Sequence, residues 1–403
     1  MIFFFIHKFN DIDHIAPIIY RISKDTDYKI KVWCLNPFYD ISKDYRLNFL
    51  KSNLLIDVEY FFKGISLSFF HKIFSFLLCK ETGKKLSSLL TIFSQKFNFI
   101  NNLIFHKIYG KKWVEKLFAK YKPELLVFDN TAVASSVYNM RSISKIAKKQ
   151  KIPKISLPHG VPLFVKHPKS YDNAKKGLFN NNCEKIILPS KRWMKECIEF
   201  GVPSEKLDVI GIARHCKEWE EILQKIVPWD KSLDSKGQDK LKVVYMDMGP
   251  DRYHKFQKIA EDTISLINGI DFVHLLYKPH TRSNRANLKI PIDVEIVTNI
   301  NSHNLIKWSD VVIGMSSSII LGVLMQKKTY ISPTFFREIK MVHEEYGASW
   351  MVNDHSELIK ALSTIYKNPN YQACSEESID KFLTEIVYAG KKEHDILGDY
   401  KDL

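Results

Sequence analysis

Residues 272–282 read Phe272-Val273-His274-Leu275-Leu276-Tyr277-Lys278-Pro279-His280-Thr281-Arg282. The run from Phe272 to Tyr277 is short and mostly apolar, then breaks at a proline flanked by basic side chains. A run of that length, closed by turn residues, reads as a strand buried on both faces. Lys278, His280 and Arg282 then stand at its carboxyl end, where the loops of a parallel sheet collect ligands.

The same pattern recurs in both directions. Downstream and upstream of this strand lie Lys242 to Met246, Val294 to Val297, Val311 to Ile313 and Thr329 to Ile331. Ile2 to Ile6, Ile30 to Leu35, Leu125 to Phe128, Lys154 to Leu157 and Lys185 to Leu188 repeat it in the first half, with segments of helical period between them. Alternation of this kind predicts parallel sheets covered by helices. Val227 to Lys240, rich in Asp, Ser and Gly, reads as a linker. The expectation is an α/β chain of two Rossmann-like domains facing a cleft, 1–226 and 241–403 joined by 227–240. Helical segments near Ser356 to Tyr366 and Ser375 to Ala389 are expected to close the second domain and reach back toward the first.

Composition narrows the function. A chain of 403 residues is too long for one compact core. The six cysteines form no short-spaced pair, which argues for a reducing, cytoplasmic compartment and against structural zinc. Met1 to Ile6 is apolar, but Lys8, Asp11 and Asp13 interrupt it before the length of an export signal or a membrane span. The net charge of +15 attracts anionic partners. From Lys63 to Lys120, eleven lysines interleave with phenylalanines against only Glu81 and Glu115, a pattern that suits either an anionic membrane surface or a solvated helix face. No nucleic-acid module accompanies the charge, so nucleic acid is not the expected partner.

Candidate chemistry falls just after strands. In the second half, Lys278, His280 and Arg282 form a cationic rim suited to phosphate oxygens. Ser316, Ser317 and Ser318 open an apolar helix after the strand Val311 to Ile313, where free N–H groups and the helix dipole favour phosphate. Gly249 follows the strand Lys242 to Met246 and permits close backbone approach to a ligand. In the first half, His159-Gly160 follows the strand ending at Leu157, and a histidine there is a candidate general base. His14 competes for that role. Asp129, at the end of the strand from Leu125, is placed to orient a histidine or to bind acceptor hydroxyls, whereas Asp11 or Asp13 fits a helix cap. Glu218, Glu220 and Glu221 read as the solvated face of a helix. No metal-ligand set is expected.

The order His159-Gly160, then Gly211 and Arg214, then Lys278-Pro279-His280, then Ser309-Asp310 leading to Ser316-Ser317-Ser318, resembles bacterial surface-polysaccharide transferases of the GT-B architecture. It is similar to CDP-glycerol glycerophosphotransferases and to capsule Kdo and sialic acid transferases. The resemblance implies functional roles for His159 and His280 and phosphate binding by the serines. It departs from the pattern at Thr281, where the family has proline, and at Gly322, where many GT-B enzymes carry a carboxylate. What it implies is metal-independent transfer from a CMP-, CDP- or UDP-activated donor to a glycan or lipid-linked acceptor, with no bound cofactor. The rival expectations are a UDP-sugar 2-epimerase and an inactive GT-B-like scaffold of a membrane assembly.

Overall fold

The computed structural model describes residues 1–7, 9–65, 110–129, 140–165, 181–247, 256–280, 288–314, 318–335, 337–391 and 396–402. The first strands and helices are β1 (Ile2–Ile6), α1 (Phe9–Asp25), β2 (Ile30–Cys34), α2 (Tyr45–Leu54), β3 (Asp57–Tyr60), α3 (Lys111–Tyr121) and β4 (Leu125–Asp129). They continue as α4 (Met140–Lys149), β5 (Lys154–Leu157), β6 (Lys185–Leu188), α5 (Lys191–Glu199), β7 (Leu207–Val209) and α6 (Lys217–Ile226). Next come β8 (Leu241–Met246), α7 (Gln257–Asn268), β9 (Val273–Lys278), β10 (Glu295–Ile296), α8 (Ser302–Trp308), β11 (Val311–Gly314) and α9 (Ile319–Met325). β12 (Thr329–Pro333), α10 (Val342–Glu345), β13 (Trp350–Val352), α11 (His355–Lys367), α12 (Glu376–Ile386) and α13 (Ile396–Asp399) complete the described elements.

Two parallel sheets result, ordered β3-β2-β1-β4-β5-β6-β7 and β10-β9-β8-β11-β12-β13. Each starts at its centre, winds to one edge, then returns and winds to the other. The reversal falls between β1 and β4 in the first sheet and between β8 and β11 in the second. Loops diverge there and leave a crevice at the carboxyl ends.

The cores follow from the strand sequences. All five residues of β1 are buried, and its alternate side chains Phe3 and Phe5 face one layer. Phe5 stacks on Phe128 at 4.8 Å between centroids, and Phe3 meets Trp33 edge-on. Each such ring contributes roughly 1.5–3 kcal/mol by burial. The second core draws on Val243, Tyr245, Leu275, Tyr277 and Ile313. Two edge strands are not foreseen from the sequence. β3 carries charge because Lys31, in the neighbouring strand, is salt-bridged to Asp57 and Glu59. β13 has only three residues.

The chain divides into two compact units, Met1–Val161 with Lys169–Ile222 and Glu385–Leu403, and Pro162–Pro168 with Leu223–Thr384. The segment 227–240 therefore packs within the second unit: Leu233 is buried, and Asn304 Nδ2 donates to the carbonyl of Pro228 at 2.7 Å. Residues 385–403, expected with the second domain, belong to the first unit. Their attachment explains Gly211: its φ is +108°, and a Cβ there would stand 2.7 Å from the carbonyl oxygen of Val387. Ile212 N donates to that same oxygen at 2.9 Å, and the hydroxyls of Tyr388 and Tyr400 bond the carbonyls of His215 and Gly211. Among the described residues no helix is long and apolar enough to cross a membrane. Residues 66–109, most of the lysine and phenylalanine stretch, lie outside the described residues.

Candidate functional site

The carboxyl ends of β1, β4 and β5 bring titratable groups together at the reversal point of the first sheet. Asp129 is the last residue of β4 and has no exposed surface. His159 follows β5 by two residues, and its Nδ1 lies 2.8 Å from Asp129 Oδ2. An ionised carboxylate only accepts, so this contact holds the Nδ1–H tautomer and leaves the basic lone pair on Nε2. Gly160, at φ +136°, turns the chain immediately after the histidine in a conformation that side-chain-bearing residues avoid.

The third contributor is α1. Asp11 lies in its first turn, is buried, and accepts the N–H of His7 at 2.8 Å. One ligand atom from each of Asp11, Asp129 and His159 lies within 4.8 Å of the others. Two carboxylates and an imidazole are a donor set that suits a divalent ion, and sequence spacing does not reveal it because the residues come from a helix, a strand end and a loop far apart in the chain. Two residues on, Asp13 is held between two guanidiniums, salt-bridged to Arg46 and 3.2 Å from Arg214 Nη1. Arg46 is fully buried and also grips Asp44, with 2.6 Å between Nη2 and Oδ2. These pairs fix α1 and the 213–215 turn as one polar block.

Burial sets the protonation of the flanking groups. His14, whose ring centroid is 5.7 Å from that of His159, is pushed down to about 3 by burial and then by Arg214, so it is neutral at physiological pH. His215 is held well below the ordinary histidine range by burial, Arg214 and His14. Glu220 is not part of a solvated helix face. It is 8% exposed, and burial pushes its carboxyl up to about 7 against the downward pull of Arg214. Glu218, beside it, is the surface member and pairs with Arg21 and Lys24.

The carboxyl ends of the second sheet are differently furnished. Lys278 ends β9, but its ammonium is buried and donates to the carbonyls of Thr298 and Ile300 at 2.7 and 2.8 Å. It ties the loop after β10 to the strand. Burial lowers its pKa. His280, two residues on, is half-buried. Asp247 follows β8, is buried, and bonds by its N–H to the Lys278 carbonyl at 2.9 Å. Gly314 ends β11 where a Cβ would meet the Tyr330 hydroxyl at 2.8 Å. Ser318 is exposed at the start of α9, and its side chain makes no capping bond. Gly322 lets α9 lie against Ile306 of α8.

Of the residues singled out in the sequence, His159, His14 and Asp129 are brought together in the first unit. Lys278, His280 and Ser318 stand at the carboxyl ends of the second sheet. Gly249, Arg282, Ser316 and Ser317 lie outside the described residues. Arg46 carries no signal in the sequence and Glu220 reads there as solvated, since only tertiary packing buries them.

No known protein family and no curated protein matches the chain. Solved structures do resemble it. The UDP-GlcNAc 2-epimerase of Methanocaldococcus jannaschii, in complex with UDP-GlcNAc and UDP, superposes with a TM-score of 0.54 at 14% identity, over 95% of this chain and 98% of that one. The UDP-GlcNAc 2-epimerase of Neisseria meningitidis, bound to UDP-GlcNAc, gives 0.57 at 12% identity over 99% and 98%. HepE of Anabaena, in complex with UDP-glucose, gives 0.53 at 11% identity over 100% and 98%. At these identities the likeness establishes the fold: the chain has a two-domain α/β fold of GT-B type.

Proposed function

We propose that the protein is a nucleotide-sugar-dependent transferase that moves a sugar or sugar-like group from an activated donor to a hydroxyl of a glycan or lipid-linked acceptor. The observation that carries this is the His159 Nδ1 to Asp129 Oδ2 contact at 2.8 Å, at the reversal point of the first sheet. In this reading the acceptor hydroxyl gives its proton to His159 Nε2, and the oxygen forms a bond to the activated carbon or phosphorus of the donor. The nucleotide leaves with the electron pair of the broken bond. Asp129 holds the tautomer and stabilises the imidazolium that forms.

The donor is assigned to the second unit, at the carboxyl ends of β8, β9 and β11. His280 and Ser318 support this by position, and Arg282, Ser316 and Ser317 by sequence. UDP is the first nucleotide to try, because UDP-GlcNAc, UDP and UDP-glucose are the ligands in the solved structures of like fold. CDP and CMP follow from the resemblance to surface-polysaccharide transferases. Transfer is proposed to need no divalent ion on the donor phosphates and no bound cofactor.

A second reading, a UDP-sugar 2-epimerase, is favoured by those same structures and by the buried carboxyl of Glu220. One experiment separates the two. UDP-sugars are incubated with the protein, with and without acceptor glycans, and followed by NMR of the sugar ring. Product that appears only with acceptor supports transfer. An epimerised sugar formed from the donor alone overturns it in favour of the second reading.

A further inference from the structure

Two neighbouring helices of the first unit carry a charge that the site does not use. α3 and α4 pack side by side, and both insert apolar side chains into the same core, Trp113 and Leu117 from one and Ile143 and Ile146 from the other. Their outer sides are basic. Residues 111–124 and 140–151 hold ten lysines and arginines, all exposed, against the carboxylates Glu115 and Glu124. Both carboxylates are already engaged, Glu115 by Lys149 at 3.1 Å and Glu124 by the amino terminus.

The spacing of these cations costs the fold something. Lys112 and Lys116, like Arg141 and Lys145, are four residues apart on one helix, an arrangement in which like charges repel. Packed helices lie about 8–10 Å apart, close to the Debye length of ~8 Å at physiological salt. The two rows therefore act together on anything laid across them.

We propose that this face docks on a bilayer surface rich in anionic headgroups. Nine of the ten cations are lysines, compact point charges that suit a diffuse planar field, whereas phosphate-by-phosphate recognition favours the arginine fork. The aromatic side chains Trp113 and Phe118 turn into the core, so they are not available to stack on bases as single-stranded nucleic acid requires. The face goes beyond the lysines between 63 and 120 by adding those of α4, and it is independent of the transfer reaction proposed above.

The test is sedimentation of the full chain with vesicles of phosphatidylcholine alone or mixed with phosphatidylglycerol, at low and high salt. Binding should require phosphatidylglycerol and fall as salt rises. Replacing Lys112, Lys116 and Lys145 together by Ala, the best helix former, should lower the partition coefficient by about a hundredfold, at about fivefold per charge. The thermal unfolding curve should stay in place, since all three are exposed. Equal partition to both vesicles, or unchanged partition of the triple variant, overturns the proposal. So does an affinity for single-stranded RNA that the same substitutions abolish while vesicles go unbound.

Discussion

The two sheets share one strand order around their reversal points, yet they use the positions there in different ways. In the first, the first turn of α1, the last residue of β4 and the loop after β5 deliver two buried carboxylates and a histidine whose atoms lie within 4.8 Å of one another. In the second, the lysine at the end of β9 is spent on two main-chain carbonyls, and glycine stands at the end of β11 because Tyr330 leaves no room for a side chain. Among the described residues, one crevice gathers titratable side chains and the other spends its lysine and glycine on main-chain bonds and close packing. A doubly wound sheet thus fixes where chemistry can sit, and the loop residues decide which chemistry it is.

The strongest way to break this contrast is to remove the base. His159→Ala should lower turnover by about 10²–10⁴-fold while UDP affinity, which we propose is set in the other unit, stays as it was. Asp129→Asn should fall in the same range, because an amide no longer enforces the Nδ1–H tautomer. Steady-state kinetics beside calorimetric UDP titration checks both. A loss of UDP affinity equal to the loss of turnover would dissolve the division of labour.

The buried groups around α1 sharpen the contrast through pH. Glu220 has its folded pKa raised by burial to about 7, so the folded state keeps a proton that the unfolded chain has already lost. Its contribution is fully present below the ordinary glutamate range and declines as pH rises to about 7. Glu220→Gln should therefore stabilise the protein above that pH by up to about 3 kcal/mol and change little in acid. His14 acts in the opposite direction. Its pKa is depressed to about 3, so stability present above the ordinary histidine range is lost as pH falls toward that value. His14→Gln should remove that acid sensitivity. Denaturant unfolding across pH separates the two slopes, and parallel curves for variant and parent would show that neither group is linked to folding.

The sequence states the sheets more openly than the site. Strands such as Ile2–Ile6 and Val311–Gly314 are apolar because both their faces are covered, and that pattern is local. β3 hides its strand character because its charges are matched by Lys31, a partner far away in sequence. The pairing of His159 with Asp129 was open to reasoning, since both follow strands. That Asp11 joins them was not, because its sequence signal equals that of a helix cap. Lys278 shows the limit from the other side: a lysine before Pro-His reads as a phosphate ligand, and only packing shows its ammonium buried on carbonyls.

Lys278→Met tests that reading. Two buried carbonyls would lose their donor, at a cost of about 2 kcal/mol. Faster amide hydrogen exchange around Thr298 to Ile300 should report it, with UDP affinity falling only as far as the loop loosens. Lys278→Arg, which keeps the charge, should not restore the protection, because a planar guanidinium does not reproduce the ammonium's geometry. If Met abolishes UDP binding while exchange is unchanged, the lysine serves the ligand and the contrast between the two crevices narrows.

The smallest expected effect concerns the trio Asp11, Asp129 and His159. As a proton-transfer site it needs no ion, and exhaustive chelation should leave turnover unchanged. Asp11→Asn should then be mild, since the hydrogen bond between His159 and Asp129 survives it. As a metal site the trio behaves differently. Chelation would stop turnover, Mn²⁺ or Zn²⁺ would restore it, and Asp11→Asn would raise the concentration of ion needed, because a carboxylate ligand replaced by an amide holds a divalent ion less tightly. Unchanged turnover in chelator with an active Asp11→Asn variant assigns the crevice to proton transfer; ion-dependent recovery that needs more ion in Asp11→Asn transfers the chemistry to a bound cation.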